Sequence, residues 1–431
     1  MILYALIYRL AIGAYFTAIR IASLFNAKAK LFVEGRKGLL PKIKAALDAE
    51  KRSRIWMHCA SLGEFEQGRP VLDALRVKYP HCAIVLTFFS PSGYEVRKDY
   101  SDADYVFYLP MDTPANSKEF LDIVQPSLCL FVKYEFWYFY LSGIAAKQIP
   151  ALLISAIFAK DQGFFKWYGG LQRSMLRCFS QVFVQDNSSL ELLKSIKINN
   201  IIVAGDTRFD RVITAAAKVE SLPLAAQFVE GYKVLIAGST WKEDEVFLSK
   251  VFKLLPSSWK LIIVPHEVHN EHVSDIEQIF SGSLVKWSAC QDKSSDFAVA
   301  LDGKRVLLVD KVGFLLQLYK YGNVAWIGGG FGKEGVHNVL EPAVYGMPCF
   351  YGPIFHQFLE AKELIENGGA FSITDPADLV ASLREMEDGV RYQQHAKAAR
   401  NYVLARGGAT DKIMIYIEQS AAHKLSLPTP K

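Results

Sequence analysis

The chain has 431 residues, too many for one ordinary domain and enough for two. With 51% hydrophobic and 22% charged residues, it is neither a disordered nor a fibrous protein. The net charge of +5 is local: residues 1–50 hold eight basic side chains against three acidic ones, which is the whole surplus. A nucleic-acid-coating protein spreads its excess over a broad domain surface, so nucleic acid is not expected as a partner.

Residues 1–25, MILYALIYRLAIGAYFTAIRIASLF, read as an amphipathic helix. No basic residue precedes the apolar run and Arg9 interrupts it, which argues against a signal peptide; Arg9 near the middle also disfavours a spanning helix. Arg9 and Arg20 are eleven residues apart and share one face, with Phe16 on the same side. A helix lying in the membrane interface fits this pattern, with the basic flank Lys28, Lys30, Arg36 and Lys37 drawn to anionic lipid. The alternative is an amphipathic helix packed on the protein itself.

From residue 51, apolar runs of strand length alternate with helix-length segments, the pattern of parallel sheets covered on both faces. Strands are expected at 55–60, 82–88, 105–109, 128–133, 151–157, 181–185 and 200–204, then at 233–238, 260–265, 306–310, 323–328 and 348–352. The Ala- and charge-rich stretch 207–231 separates the series. The fold class is α/β: two facing Rossmann-like domains with a ligand cleft at the carboxyl ends of their strands. The expected division is 1–40 for the helix and basic flank, 41–220 and 221–415 for the domains, and 416–431 for a carboxyl-terminal tail, of which HKLSLPTPK (423–431) is expected to fray. The six cysteines, none spaced as CxxC and most inside apolar runs, read as buried reduced thiols.

Chemistry-bearing residues cluster after the strands. Ser61-Leu62-Gly63-Glu64 joins the first strand to a helix. It is either a capping box or a site where Gly63 admits substrate and Glu64 is a general base. Glu135, amid Phe136, Trp137 and Tyr138, is either held by a basic partner such as Lys133 or used for chemistry. Gly238-Ser239-Thr240 precedes a helix and could hold an anion. The run Gly328–Gly330 followed by Asn338 and Glu341 points to a nucleotide site, with plain capping as the alternative. It lacks the P-loop pattern. His266, His269 and His272 are spaced for a solvated helix start rather than a metal site. No nucleophile-elbow or Cys–His signature occurs, which disfavours hydrolases of those kinds.

Ala60-Ser61-Leu62-Gly63-Glu64, Glu135-Phe136-Trp137, Gly205-Asp206-Thr207-Arg208-Phe209-Asp210, Ala237-Gly238-Ser239-Thr240 and His337-Asn338-x-x-Glu341-Pro342-Ala343 occur in this order. In this, nearly the whole chain resembles the Kdo transferases, membrane-associated enzymes of lipopolysaccharide synthesis. They move 3-deoxy-D-manno-oct-2-ulosonic acid (Kdo) from CMP-Kdo onto lipid A precursor. The resemblance implies a GT-B fold, Glu64 as catalytic base and Glu135 as a second essential acid. It implies Arg208, Ser239, Thr240, Gly329, Gly330, Asn338 and Glu341 on the donor side, with Glu341 at the ribose. Ser61, Gly63 and Lys133 are then acceptor-side candidates. The implied partners are CMP-Kdo, lipid A precursor and the anionic inner-membrane surface, with transfer on the cytoplasmic face and no metal or other cofactor. The chain departs from the family in having Lys133 for an acidic residue, Tyr138 for Pro, and His266-Glu267-Val268-His269-Asn270 for Arg-x-Pro-Glu-Arg. His266 or Lys333 is left to supply the missing donor-side charge. The alternatives to this reading are a GT-B transferase using a UDP-sugar and a lipid acceptor, and an inactive lipid-surface binding module.

Overall fold

The structure, a computed structural model, describes residues 2–291 and 301–425. It forms two compact units, Met1–Arg211 together with Gly407–Lys431, and Val212–Arg406.

The first unit carries seven parallel strands: β1 (Arg54–Cys59), β2 (Ala83–Phe88), β3 (Tyr105–Tyr108), β4 (Leu128–Val132), β5 (Ala151–Ala156), β6 (Gln181–Val184) and β7 (Ile201–Val203). Their order is β3-β2-β1-β4-β5-β6-β7. The chain runs outward from β1 to β3, then crosses back to β4, so the direction of winding reverses between β1 and β4. Ligands of doubly wound sheets bind outside the strand ends at such a reversal. Alternation along β1 sends Trp56 to one face with Phe120 and Phe131, and Ile55, Met57 and Cys59 to the other with Phe65 and Leu72.

In the second unit the strands are β8 (Lys233–Thr240), β9 (Trp259–Pro265), β10 (Leu284–Lys286), β11 (Val306–Leu308), β12 (Val324–Ile327), β13 (Cys349–Tyr351) and β14 (Ala370–Ser372). They lie in the order β10-β11-β9-β8-β12-β13-β14, again all parallel, with the reversal between β8 and β12. β10 and β14 are absent from the sequence-derived strands. Both are three-residue edge strands, too short to give a period and paired on one side only. The six cysteines are unpaired, five of them buried and Cys178 partly so.

The N-terminal helix, Ile2–Ala22, lies on the first unit. Ala5 and Tyr8 pack against its core, and the Tyr15 ring stacks on Phe89 at 6.3 Å. Tyr4, Leu6, Ile7, Leu10, Ile21, Leu24 and Phe25 are exposed. Tyr4–Ala22 is the one helical stretch among the described residues long and apolar enough to cross a membrane. Arg36 does not belong to a lipid-facing basic flank. Its guanidinium donates to the backbone carbonyls of Phe32, Phe89 and Leu109 and covers the Phe32 ring at 3.7 Å.

The carboxyl-terminal tail, expected from 416 with fraying from 423, is helical and packed as far as 425. Helix Ala409–Ser420 and the turn Ala422–Leu425 return to the first unit. Ile413, Ile417, Ala421 and Leu425, spaced by four, form one apolar stripe and are buried beside Val71, Leu72 and Leu75. Each of the large aliphatics contributes about 1.5–3 kcal/mol through burial. The remainder, 426–431, lies outside the described residues. Asp210 secures the return, accepting the backbone N–H groups of Gly408 and of Thr410, the latter at 2.6 Å. Asp210→Ala is therefore expected to destabilise the first unit by about 1–2 kcal/mol. A denaturation midpoint equal to wild type would contradict this role.

Candidate functional site

In the first unit the two acidic residues singled out from the sequence follow β1 and β4, the neighbours at the reversal point. Glu64 sits in the first turn of helix Leu62–Lys78. Its Oε2 accepts the Ser61 backbone N–H at 3.1 Å and the Ser61 hydroxyl. Oε1 accepts no hydrogen bond among the described residues, so the carboxylate caps its own helix while keeping one oxygen available. Gly63 beside it is exposed, and a Cβ there would meet only Ser61 Oγ, at 3.7 Å. Packing within the chain thus gives no reason for a glycine at this position.

Glu135 is 6% exposed and its partner is His58, not Lys133. Oε2 lies 2.8 Å from His58 Nε2 and accepts the indole N–H of Trp137 at 2.7 Å. His58 Nδ1 meets Thr87 Oγ1 at 2.9 Å, and that hydroxyl accepts the Trp56 indole N–H at 2.8 Å. A polar chain thus runs across β2, β1 and the end of β4. A buried carboxylate stripped of its partner is costly, which explains why two side chains, His58 and Trp137, converge on one oxygen of Glu135. Lys133 has a left-handed backbone (φ +65°) and rests over the Tyr134 ring at 5.3 Å. Ser155, at the end of β5, and Ser239, in β8, share that left-handed conformation, at φ +53° and +54°. Such strain in non-glycine residues gathers at functional sites.

Behind Trp137 stands Asp112, which the sequence did not mark. It is buried and accepts the Tyr8 hydroxyl at 2.7 Å and the backbone N–H groups of Phe139 and Tyr140 at 3.0 and 3.1 Å. It thereby caps helix Tyr138–Ala146, whose own N-cap residue Trp137 supplies no capping bond. Arg208 lies in the first unit, held by Asp206 through a 2.7 Å ion pair.

The second unit gathers its marked residues at the ends of β8, β9 and β12, which are adjacent. Several of them hold the turn rather than face a ligand. The Thr240 hydroxyl donates to buried Glu245, which also meets His272 Nε2 at 2.9 Å. Asp244, raised above the usual carboxylate range by burial, accepts the Gly329 and Trp241 backbone N–H groups and the Trp326 indole. The Gly329 N–H is thus engaged, and Gly330 packs so closely on Gly352 that a Cβ would come within 2.5 Å of backbone. These glycines permit tight packing within the chain. Asn338 accepts the Leu340 N–H and donates to Glu341 at 3.0 Å. The helix it opens, Leu340–Val344, spans five residues.

The three spaced histidines go to different places. His269 caps helix Asn270–Ile279, His272 meets Glu245, and His266 stacks over both Trp241 and His337, at 4.7 and 4.5 Å. Trp241 Nε1 donates to His337 Nε2 at 2.8 Å, and burial beside His266 holds His337 below the usual histidine range. In this stack His266 is exposed, and Trp241 and His337 are half-buried. Lys333 is exposed nearby in sequence. Among the described residues no cluster of three metal-binding side chains occurs.

Two parallel α/β units with this strand order define the GT-B class. In structure the chain is similar to UDP-GlcNAc 2-epimerase from Neisseria meningitidis, with a TM-score of 0.59 and 14% identity over 85% of this chain and 100% of that one. Residues 33–211 match the family described as 3-Deoxy-D-manno-octulosonic-acid transferase (kdotransferase). A 3-deoxy-D-manno-octulosonic acid transferase of Aquifex aeolicus (strain VF5) is 30% identical over 340 residues, 78% of this chain and 86% of its own. One from Haemophilus influenzae is 27% identical over 337 residues, 75% of this chain and 76% of its own. The chain belongs to the Kdo transferase family of glycosyltransferases.

Burial lifts the Asp112 carboxyl to about 6 from an ordinary 3.8, against the lowering effect of its Tyr8, Phe139 and Tyr140 hydrogen bonds and of nearby His58. A carboxyl with a raised folded pKa favours the folded state fully below its unfolded value and loses that contribution as pH rises through the folded value. Unfolding free energy is therefore expected to fall by roughly 3 kcal/mol between about pH 4 and pH 6 from this group. Asp112→Asn should flatten that part of the stability–pH curve; an unchanged slope would contradict the assignment.

Proposed function

We propose that the protein transfers Kdo from CMP-Kdo to a glucosamine 6-hydroxyl of a lipid A precursor, with inversion, in lipopolysaccharide synthesis. The observation that carries this reading is the pair of carboxylates at the β1/β4 reversal in a Kdo transferase chain. One has an available oxygen beside an unobstructed glycine; the other is locked in a polar chain. Glu64 takes the proton of the acceptor hydroxyl, and the oxygen attacks the anomeric carbon of Kdo. The bond from that carbon to the CMP phosphate breaks, and CMP leaves with the electron pair from the opposite face. Glu135, held by His58 and Trp137, fixes the acceptor side, where Ser61, Gly63 and Lys133 line the approach.

On the donor side the proposed contacts are the Ser239 hydroxyl, Asn338, and Glu341 to the ribose hydroxyls. His266 and Lys333 supply charge where the family carries arginines. Arg208 is proposed for the Kdo carboxylate. Thr240, Gly329 and Gly330 serve by shaping the turn. The donor is a substrate, and the step as written uses no metal. The exposed aliphatic face of the N-terminal helix, with Arg9, Arg20, Lys28 and Lys30 around it, suits an anionic bilayer surface. We place the enzyme on the cytoplasmic face of the inner membrane on that basis.

Glu64→Ala is expected to lower kcat by about 10²–10⁴-fold, the usual loss for a general base. Stabilisation by CMP, read as a melting-temperature rise, should persist in the variant and exceed that given by UDP. Turnover at the wild-type rate would remove Glu64 as base. A larger rise with UDP would favour a UDP-sugar donor instead.

A further inference from the structure

A membrane tether needs only an apolar face and a flexible join. The N-terminal helix has more than this, because two of its turns are built into the support of Glu135. From one turn, the Tyr8 hydroxyl donates to buried Asp112, which in turn holds the Phe139 and Tyr140 N–H groups. These open the helix whose N-cap is Trp137. That arrangement leaves the Trp137 indole N–H to point at Glu135 Oε2 and His58 Nε2, at 2.7 and 3.1 Å. From two turns further along, Tyr15 stacks on Phe89, and Phe89 packs on Trp137 with ring centres 4.4 Å apart. Tyr8 also packs on Tyr138 and Phe139, at 5.6 and 5.7 Å. Two separate routes from one helix therefore end on the same indole.

We propose that Tyr8 and Tyr15 are positioning residues for the candidate site, acting through Asp112 and Phe89 on Trp137. The N-terminal helix is then part of the catalytic support, and its seating on the first unit is required for transfer even when the acceptor is not in a bilayer. The inference rests on the reading of Glu135 as a site residue. Its physical basis is that a buried carboxylate keeps its orientation only while its donors are held, and a displacement near 1 Å at a reacting centre costs up to 10²-fold in rate.

The test uses the full chain with CMP-Kdo and detergent-dispersed lipid A precursor, so that membrane attachment drops out. Tyr8→Phe keeps the ring and removes the hydroxyl. It is expected to lower kcat roughly tenfold with the donor KM unchanged. In a Trp137→Phe background the same substitution should add little further loss, because both act on one indole. Should Tyr8→Phe fail to fold, Tyr15→Leu at a half-exposed position carries the same test through Phe89. A Tyr8→Phe enzyme at full rate on dispersed acceptor, or a loss that multiplies fully with Trp137→Phe, would overturn the proposal. Glu135→Gln made alongside separates the layers. A slow Glu135→Gln beside a full-rate Tyr8→Phe sinks this inference alone, whereas wild-type rate in Glu135→Gln removes the site reading and this inference with it.

Discussion

A carboxylate buried at the end of a parallel strand has to be compensated, and in this protein that requirement organises the first unit. Glu135 is met by His58 in β1 and by Trp137 in the turn after β4. His58 is in turn set by Thr87 in β2, and Thr87 by Trp56 in β1. These bonds tie together three neighbouring strand ends at the point where the winding of the sheet reverses. A low dielectric strengthens such a network and also makes any missing member expensive. The geometry around the carboxylate is for that reason specified from several directions at once, as a preorganised site demands.

The second unit meets a comparable requirement differently. Asp244 and Glu245, consecutive and buried in the first turn of helix Lys242–Leu254, tie β8 to the glycine turn after β12 and to His272. Carboxylates complete the turn, and the partly exposed Trp241–His266–His337 stack follows the ends of β8, β9 and β12. The departure of this chain from Arg-x-Pro-Glu-Arg after β9 has a structural counterpart here. His266 lies over the hydrogen-bonded pair of Trp241 and His337, where a flat ring suits stacking.

Twelve of the fourteen strands among the described residues were legible because each is an apolar run with flanking helices. β10 and β14 were not: Leu284-Val285-Lys286 and Ala370-Phe371-Ser372 mix polar with apolar residues, whereas β7, equally short and also at an edge, shows the β-branched run Ile201-Ile202-Val203. Glu64 and Glu135 were legible as acids at strand ends. Their partners were less so: His58 lies in the apolar run IWMHC, and the only signal was a polar residue in a buried strand, which must have a partner. Asp112 was invisible because the N–H groups it caps are distant in sequence, as are the Trp326 and Gly329 partners of Asp244. The glycines carry a double signal. Close backbone approach and phosphate binding call for the same residue, and only the neighbours of Gly329 and Gly330 distinguish the two. Arg36, counted from sequence as part of a basic flank, shows that a charge tally does not reveal which cations are inside.

The central claim is that a charge-balanced GT-B enzyme, seated by its N-terminal helix, transfers Kdo to a lipid acceptor. Incubating the protein with CMP-Kdo and lipid A precursor and weighing the products by mass spectrometry tests it most directly. The account predicts an acceptor heavier by one or more Kdo residues, with CMP released. An acceptor of unchanged mass, under conditions in which an authentic Kdo transferase works, would contradict it.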